Sequence, residues 1–161
     1  SQGIRRKKVY GAAHEGAAWQ HSTEYHVMWR VAFEPGEVKV VARKDGKQVG
    51  EQTIRTAGAP HHIVLKKTYQ GTLAFGTSDP TTFVEVQVVD KDGNLCPNAD
   101  NQIFFSSDAK ILGTDNGCQT SLERFTDPHR KAFFGKCVVV LKGKGTLTAK
   151  AVDLQQAQIQ L

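Results

Sequence analysis

Apolar and polar residues alternate with a period of two along most of this chain. In "EYHVMWRVAFE", Tyr25, Val27, Trp29, Val31 and Phe33 fall on one face, and His26, Met28, Arg30 and Ala32 on the other. That pattern predicts a strand with one buried face. "EPGE" follows, with Pro35 and Gly36 suited to the central positions of a turn. "VKVVARK" places Val38, Val40 and Ala42 inward, Asp45-Gly46 favours a tight hairpin, and "KQVGEQTIRT" supplies a further strand. Residues 25–56 therefore read as a three-stranded antiparallel meander, and "IRRKKVY" (4–10) offers a fourth strand. Residues 11–24, "GAAHEGAAWQHSTE", lack periodicity and read as a loop.

"TAGAP" breaks the pattern, and Gly58 and Pro60 mark a boundary. A second series follows: "HHIVLKK" (61–67), "TFVEVQVVD" (82–90), "QIFFSS" (102–107), "KCVVVLK" (136–142), "GTLTAKAV" (145–152) and "QAQIQL" (156–161). Short strands at this spacing predict an immunoglobulin-like β-sandwich. No segment carries a 3.6-residue period, so the expected class is all-β with no substantial helix. The expected division is a partial, N-terminally truncated sandwich domain over 1–58 and a complete one over 59–161. Three or four strands in the first part leave one sheet face without cover.

Composition changes this picture little. The chain has 161 residues, a formal net charge of +5 and a pI near 9.2. Its clearest basic cluster, Arg5-Arg6-Lys7-Lys8, has no interleaved aromatics and no nucleic-acid motif accompanies it, which argues against a nucleic-acid partner. No stretch reaches the roughly 20 apolar residues that cross a bilayer, and no apolar segment follows the basic start as a signal peptide requires. Cys96, Cys118 and Cys137 lack C-x-x-C spacing, which gives zinc weak support. They leave open one disulfide, with Cys118–Cys137 the pair to test, or three thiols.

Candidate chemistry concentrates in "GTDNGCQTSLERFTDPHRKAFFGK" (113–136). A nucleophilic Cys118–His129 pair would need a third orienting residue and an oxyanion loop, and neither is recognisable. The stretch reads better as a long connection between sheets. Asp115-Asn116-Gly117 turns it; Arg124, Asp127 and Arg130 pair with one another and with carbonyls; Phe125, Phe133 and Phe134 anchor it to the core. Glu34 and Glu37 flank a turn, a convex place for a glycosidase acid pair. His61 and His62, adjacent in a strand, point to opposite faces and cannot share a metal ion. His14 and His21 read as surface residues. Trp19 is the candidate carbohydrate-binding residue, against a reading in which it folds over the open sheet.

Three segments together resemble the C-terminal region of bacterial glycoside hydrolase family 2 enzymes, chiefly β-galactosidases. They are "WRVAFEPGEVKVVARKDGKQVGEQTIRTAG" (29–58), "FVEVQVVDKDGNLCPNADNQIFFS" (83–106) and "GTDNGCQTSLERFTDPHRKAFFGKCVVVL" (113–141). Asp90 to Asp100, Gly113 to Gly117 and Arg130 to Gly135 follow that family's D-x-D-G-N-x-x-P-x-A-(D/N), G-x-x-N-G and R-x-x-F-x-G patterns. The resemblance implies a non-catalytic accessory region whose catalytic acids lie upstream. It also implies the parent's upstream domains as partners and a periplasmic or secreted setting; the residues themselves, with no phosphate-cradling glycine motif and no metal-ligand spacing, point to no cofactor or metal. The loop at 11–24 is longer than the family's usual link, and Cys118 replaces a usually polar residue. A carbohydrate-binding module and an adhesin-type immunoglobulin-like repeat are the alternatives. Unpaired sheet edges in the truncated first part lead us to expect that the chain self-associates or covers the gap with residues 1–24.

Overall fold

The structure, a computed structural model, describes residues 19–22, 27–30, 32–72 and 79–161. Among these residues there are twelve strands and no helix, the all-β class that the alternation predicts. The chain divides into two compact units, Ser1–Thr56 and Ala57–Leu161.

In the first unit β1 (Trp19–Ser22) pairs antiparallel with β2 (Val27–Arg30). A strand thus occupies part of the stretch read as a loop, because four residues are too few to display alternation. The expected strand at 4–10 and the residues His14 and His26 lie outside the described residues. β3 (Glu37–Lys44) and β4 (Lys47–Arg55) form a hairpin around Asp45 and Gly46, whose φ angles are 50° and 79°. Two positive φ values at the loop are what a two-residue hairpin turn requires.

The expected three-stranded meander is not formed among the described residues: β3 and β4 make a two-stranded sheet. Gly36 does not turn β2 back onto β3. Its N–H donates to Thr56 Oγ1 at 3.0 Å and its carbonyl accepts the Thr56 N–H at 2.8 Å, continuing the β3–β4 ladder. Val38 and Val40, expected to face inward, remain 44% and 40% exposed, and Ile54 opposite Val38 is 67% exposed. A two-stranded sheet has no second layer of its own in which to bury a face.

The second unit is a sandwich of two four-stranded sheets. One has the order β5-β6-β10-β8, built from β5 (His62–Gly71), β6 (Thr81–Val89), β8 (Lys110–Asp115) and β10 (Lys136–Lys142). The other runs β12-β11-β7-β9, from β7 (Gln102–Ser107), β9 (His129–Lys131), β11 (Thr146–Lys150) and β12 (Ala157–Gln160). Alternation supplies the core. Val84, Val86 and Val88 of β6 and Cys137, Val139 and Leu141 of β10 join Ile103, Phe105, Leu147 and Ala149 of the other sheet. Each fully buried aliphatic side chain contributes about 1.5–3 kcal/mol. A seam joins the sheets where Ile63 N–H donates to Gln155 O at 3.1 Å and Gln155 N–H to His61 O at 3.0 Å. β8 and β9 are edge strands of opposite sheets, so residues 116–128 carry the chain across the side of the sandwich.

Candidate functional site

The ionisable residues singled out in the sequence meet at this crossover, and Arg130 is its centre. Arg130 lies on β9 and is 1% exposed. Its Nη2 donates to Thr114 O at 2.8 Å and Arg124 O at 3.0 Å, Nη1 to Glu123 O at 3.2 Å, and Nε to Thr114 Oγ1 at 3.3 Å. Three crossover or edge-strand carbonyls thus share one guanidinium, whose fixed fork can reach them together. Its charge is met by Glu123 Oε2 at 3.7 Å, and the Phe125 ring lies under it at 5.4 Å. Thr114 adds its own N–H, donated to Phe125 O at 2.7 Å.

Glu123 faces the other way as well. It accepts the Lys131 N–H at 3.1 Å and the Gln102 amide at 2.9 Å. Burial pushes its carboxyl up, but the Gln102 amide, the Lys131 N–H and the Arg130 guanidinium together hold it below the ordinary value. The Gln102 amide nitrogen also lies 3.0 Å from His129 Nδ1. The imidazole's Nδ1 lies 3.6 Å from Glu123 Oε1 and its Nε2 4.0 Å from Asp127 Oδ2. The predicted Asp115-Asn116-Gly117 turn is present: Asp115 Oδ1 accepts both following N–H groups at 2.7 and 3.1 Å, and Gly117 has φ 73°. Asn116 clips this turn to β9 through its Nδ2, which donates to Lys131 O at 2.8 Å.

Several expectations are corrected here. Arg130 pairs with Glu123 rather than Asp127, and Arg124 contributes its carbonyl, its side chain being exposed. Phe125, Phe133 and Phe134 are not core anchors: Phe125 and Phe134 are exposed, and the Phe133 and Phe134 rings meet each other, tilted, at 4.5 Å. The polar network pins the crossover in their place. Sequence reasoning missed Glu123, Thr114 and Gln102 as brace members. Only their placement around one buried cation reveals them.

Cys118 and His129 are not hydrogen-bonded: the thiol lies 3.4 Å from Thr120 Oγ1, while the imidazole belongs to the Gln102–Glu123 group. All three cysteines are free, so the Cys118–Cys137 disulfide is not formed, and Cys137 is a core residue of β10. The hydrogen bond from Thr120 draws the Cys118 thiol below its ordinary pKa, burial raises that of Cys96, and burial pushes Cys137 up to about 12. Iodoacetamide at neutral pH should therefore alkylate Cys118 alone in the folded chain and all three in denaturant. Peptide mass spectrometry reads the pattern, and equal labelling of Cys137 in the folded chain would contradict it.

A second polar anchor is Asp90, 2% exposed. Its Oδ2 accepts the Gly58 N–H at 2.8 Å and the Asn94 amide at 3.0 Å; its Oδ1 accepts the N–H groups of Asp92 and Asn94 at 2.9 and 2.8 Å. The Gly58 N–H first, then Asn94, hold this carboxyl far below the usual range. A carboxyl depressed in the folded state stabilises it fully above the unfolded pKa of about 3.9, and loses that contribution as pH falls towards the folded value. Asp90→Asn should therefore lower the thermal midpoint at neutral pH, with the gap to the parent narrowing below about pH 4. Midpoints measured from pH 7 to pH 3 check this; a gap that widens in acid would refute it.

The remaining candidates are dispersed. Glu37 pairs with Arg55 at 2.7 Å, and both Glu34 and Glu37 are exposed. His61 and His62 do not diverge as expected: their Nδ1 atoms lie 3.1 Å apart, because His61 precedes the strand and escapes its alternation. Among the described residues no group of three His, Cys, Asp or Glu could hold a metal ion. Trp19 is the first residue of β1, opposite Arg30, and His21 lies in the same strand.

Residues 66–160 match the glycoside hydrolase family 2 C-terminal domain 5, and residues 1–50 match a domain of unknown function (DUF4982). The chain is 43% identical, over its full length, to Beta-galactosidase BoGH2A of Bacteroides ovatus, of which it covers 18%. Among solved structures it is similar to a beta-glycosidase from Bacteroides vulgatus, with 30% identity and a TM-score of 0.76 over 88% of this chain and 19% of that one. It is also similar to a glycosyl hydrolase family 2 member from Bacteroides cellulosilyticus, with 26% identity and a TM-score of 0.73 over 84% of this chain and 19% of that one. The chain thus spans about a fifth of the length of each of these relatives.

Proposed function

Because the chain belongs to glycoside hydrolase family 2, its residues 66–160 being that family's C-terminal domain 5, we propose that it is a non-catalytic accessory region of a larger enzyme. In this reading the enzyme is a β-galactosidase. The region packs against its upstream domains and helps to frame the active site. Residues 1–58 belong to one β-sandwich domain and 59–161 to a second, immunoglobulin-like one. The setting we assign is periplasmic or secreted, on the family resemblance.

The observation that carries this reading is the uncovered apolar face of the β3–β4 hairpin. Val38, Val40 and Ile54 stay 40–67% exposed there. A neighbouring domain would bury that face; without one, exposed sheet edges and apolar residues favour self-association. In the full-length enzyme the backbone amides of Val38 and Ile54 should exchange with deuterium more slowly than in the 161-residue chain. Equal exchange in both would remove the packing role. The isolated chain should release no nitrophenol from 4-nitrophenyl β-galactoside; turnover that follows the chain through a second purification would end the accessory reading.

A further inference from the structure

The outer face of the β5-β6-β10-β8 sheet lays its side chains out in rows. In one row Lys66 stands opposite Glu85, Glu85 opposite Val138, and Val138 opposite Asp115. In the next, Tyr69 stands opposite Phe83, Phe83 opposite Val140, and Val140 opposite Gly113. The Tyr69 and Phe83 rings meet edge to face at 5.7 Å. Tyr69 leans over Gly71, where a Cβ would lie 2.6 Å from its hydroxyl, and it remains exposed.

The first row is dished. A shallow open depression of about 230 Å³ is lined by Thr68, Glu85, Asp115, Asn116, Lys136 and Val138. Val138 is its half-buried apolar floor. The two carboxylates belong to strands on either side of β10, so their backbones stand roughly 10 Å apart across that floor. Each carboxylate has one oxygen engaged within the protein. Glu85 Oε1 accepts from Lys136 Nζ at 3.2 Å and from Gln87, and Asp115 Oδ1 accepts the Asn116 and Gly117 N–H groups. Glu85 Oε2 and Asp115 Oδ2 accept no hydrogen bond from the described residues, and the Lys136 ammonium has further N–H groups to donate.

A pyranose presents a C–H face and a rim of hydroxyls. An apolar floor with acceptors on two sides, a donor on the rim and an aromatic pair one row away is the complement of that shape. The Glu85 and Asp115 carboxylates are matched by Lys136 and by Lys66, which stands opposite Glu85, so the depression has no net positive charge with which to hold uronates and other anions. We propose that this depression is a binding subsite for a neutral pyranose, with the Tyr69–Phe83 pair receiving an adjoining sugar unit. The site is distinct from Trp19, and it goes beyond the packing role without depending on it.

The test is a ¹⁵N–¹H titration of the 161-residue chain with methyl β-galactoside, methyl β-glucoside, lactose and methyl β-glucuronide. At least one neutral sugar should give saturable shifts at the amides of Glu85, Asn116 and Val138, and the glucuronide should give weaker ones. Glu85→Ala should weaken binding about tenfold, with Glu85→Gln falling between it and the parent. Thr148→Ala, on the opposite sheet, should bind as the parent does. The proposal is overturned by any of three results: no saturable shift at these amides with any neutral sugar, shifts confined to Trp19 and its neighbours, or unchanged affinity in Glu85→Ala. It is also overturned if these amides respond to no sugar but are protected from exchange in the full-length enzyme, which would make the face a domain contact.

Discussion

Replacing Arg130 with methionine should lower the stability of the sandwich by about 3–5 kcal/mol, the cost of removing one partner of a buried ion pair. Arg130 is almost fully buried and holds the carbonyls of Thr114, Glu123 and Arg124. Methionine fills much of the volume and donates nothing, so three carbonyls lose their donor at once and the half-buried Glu123 carboxylate loses its counter-charge. Lysine should not rescue the loss, because a single ammonium cannot span three carbonyls spread from β8 to the crossover. Urea unfolding gives the measurement. The midpoint should fall in Arg130→Met and Arg130→Lys alike, with the amide of Thr114, bonded to Phe125 O, losing exchange protection first. A loss below about 1 kcal/mol in Arg130→Met would show that the crossover is pinned by something else.

The sequence made the kind of brace legible and left its partners hidden. Arg130 stands in a stretch crowded with acids, so a polar pin could be expected from spacing. Whether Glu123 or Asp127 supplies the counter-charge depends on how the loop coils after Gly117, and no periodicity encodes that. The strands at 102–107 and 136–142 are where the pattern placed them, because alternating or continuous apolar residues must face a core. β8 and β9 escaped notice for local reasons. Gly113 interrupts the one, and His129, Arg130 and Lys131 give the other three polar residues with no apolar face to show. The phenylalanines misled because apolar character signals burial only where the backbone directs a side chain inward. At Phe134 the backbone is left-handed, φ 49°, and the chain turns there at the rim of the sandwich. The candidate binding depression was invisible for another reason: Glu85, Asp115 and Lys136 come together only through the pairing of three strands.

That same turn sets up the second large effect. Gly135→Ala should destabilise the folded chain by about 2–4 kcal/mol, from left-handed backbone strain and overpacking combined. Gly135 has φ 75°, and a Cβ there would lie 2.3 Å from Cys96 O. That oxygen is backbone, and the glycine cannot easily back away. Its N–H donates to Ala99 O at 3.0 Å and its carbonyl accepts the Val88 N–H at 2.8 Å, so both sides of the residue are tied to the β6–β7 connection and β6 itself. Gly93 separates the two costs. It has φ 84°, yet an added Cβ meets nothing within 4 Å. Gly93→Ala should therefore lose only about 1–2 kcal/mol, the conformational part alone. The difference between the two variants in urea or thermal unfolding measures the steric part. Equal losses would mean that the Cys96 segment moves aside at no cost, and that the close approach of these two loops is not what holds the rim of the sandwich together.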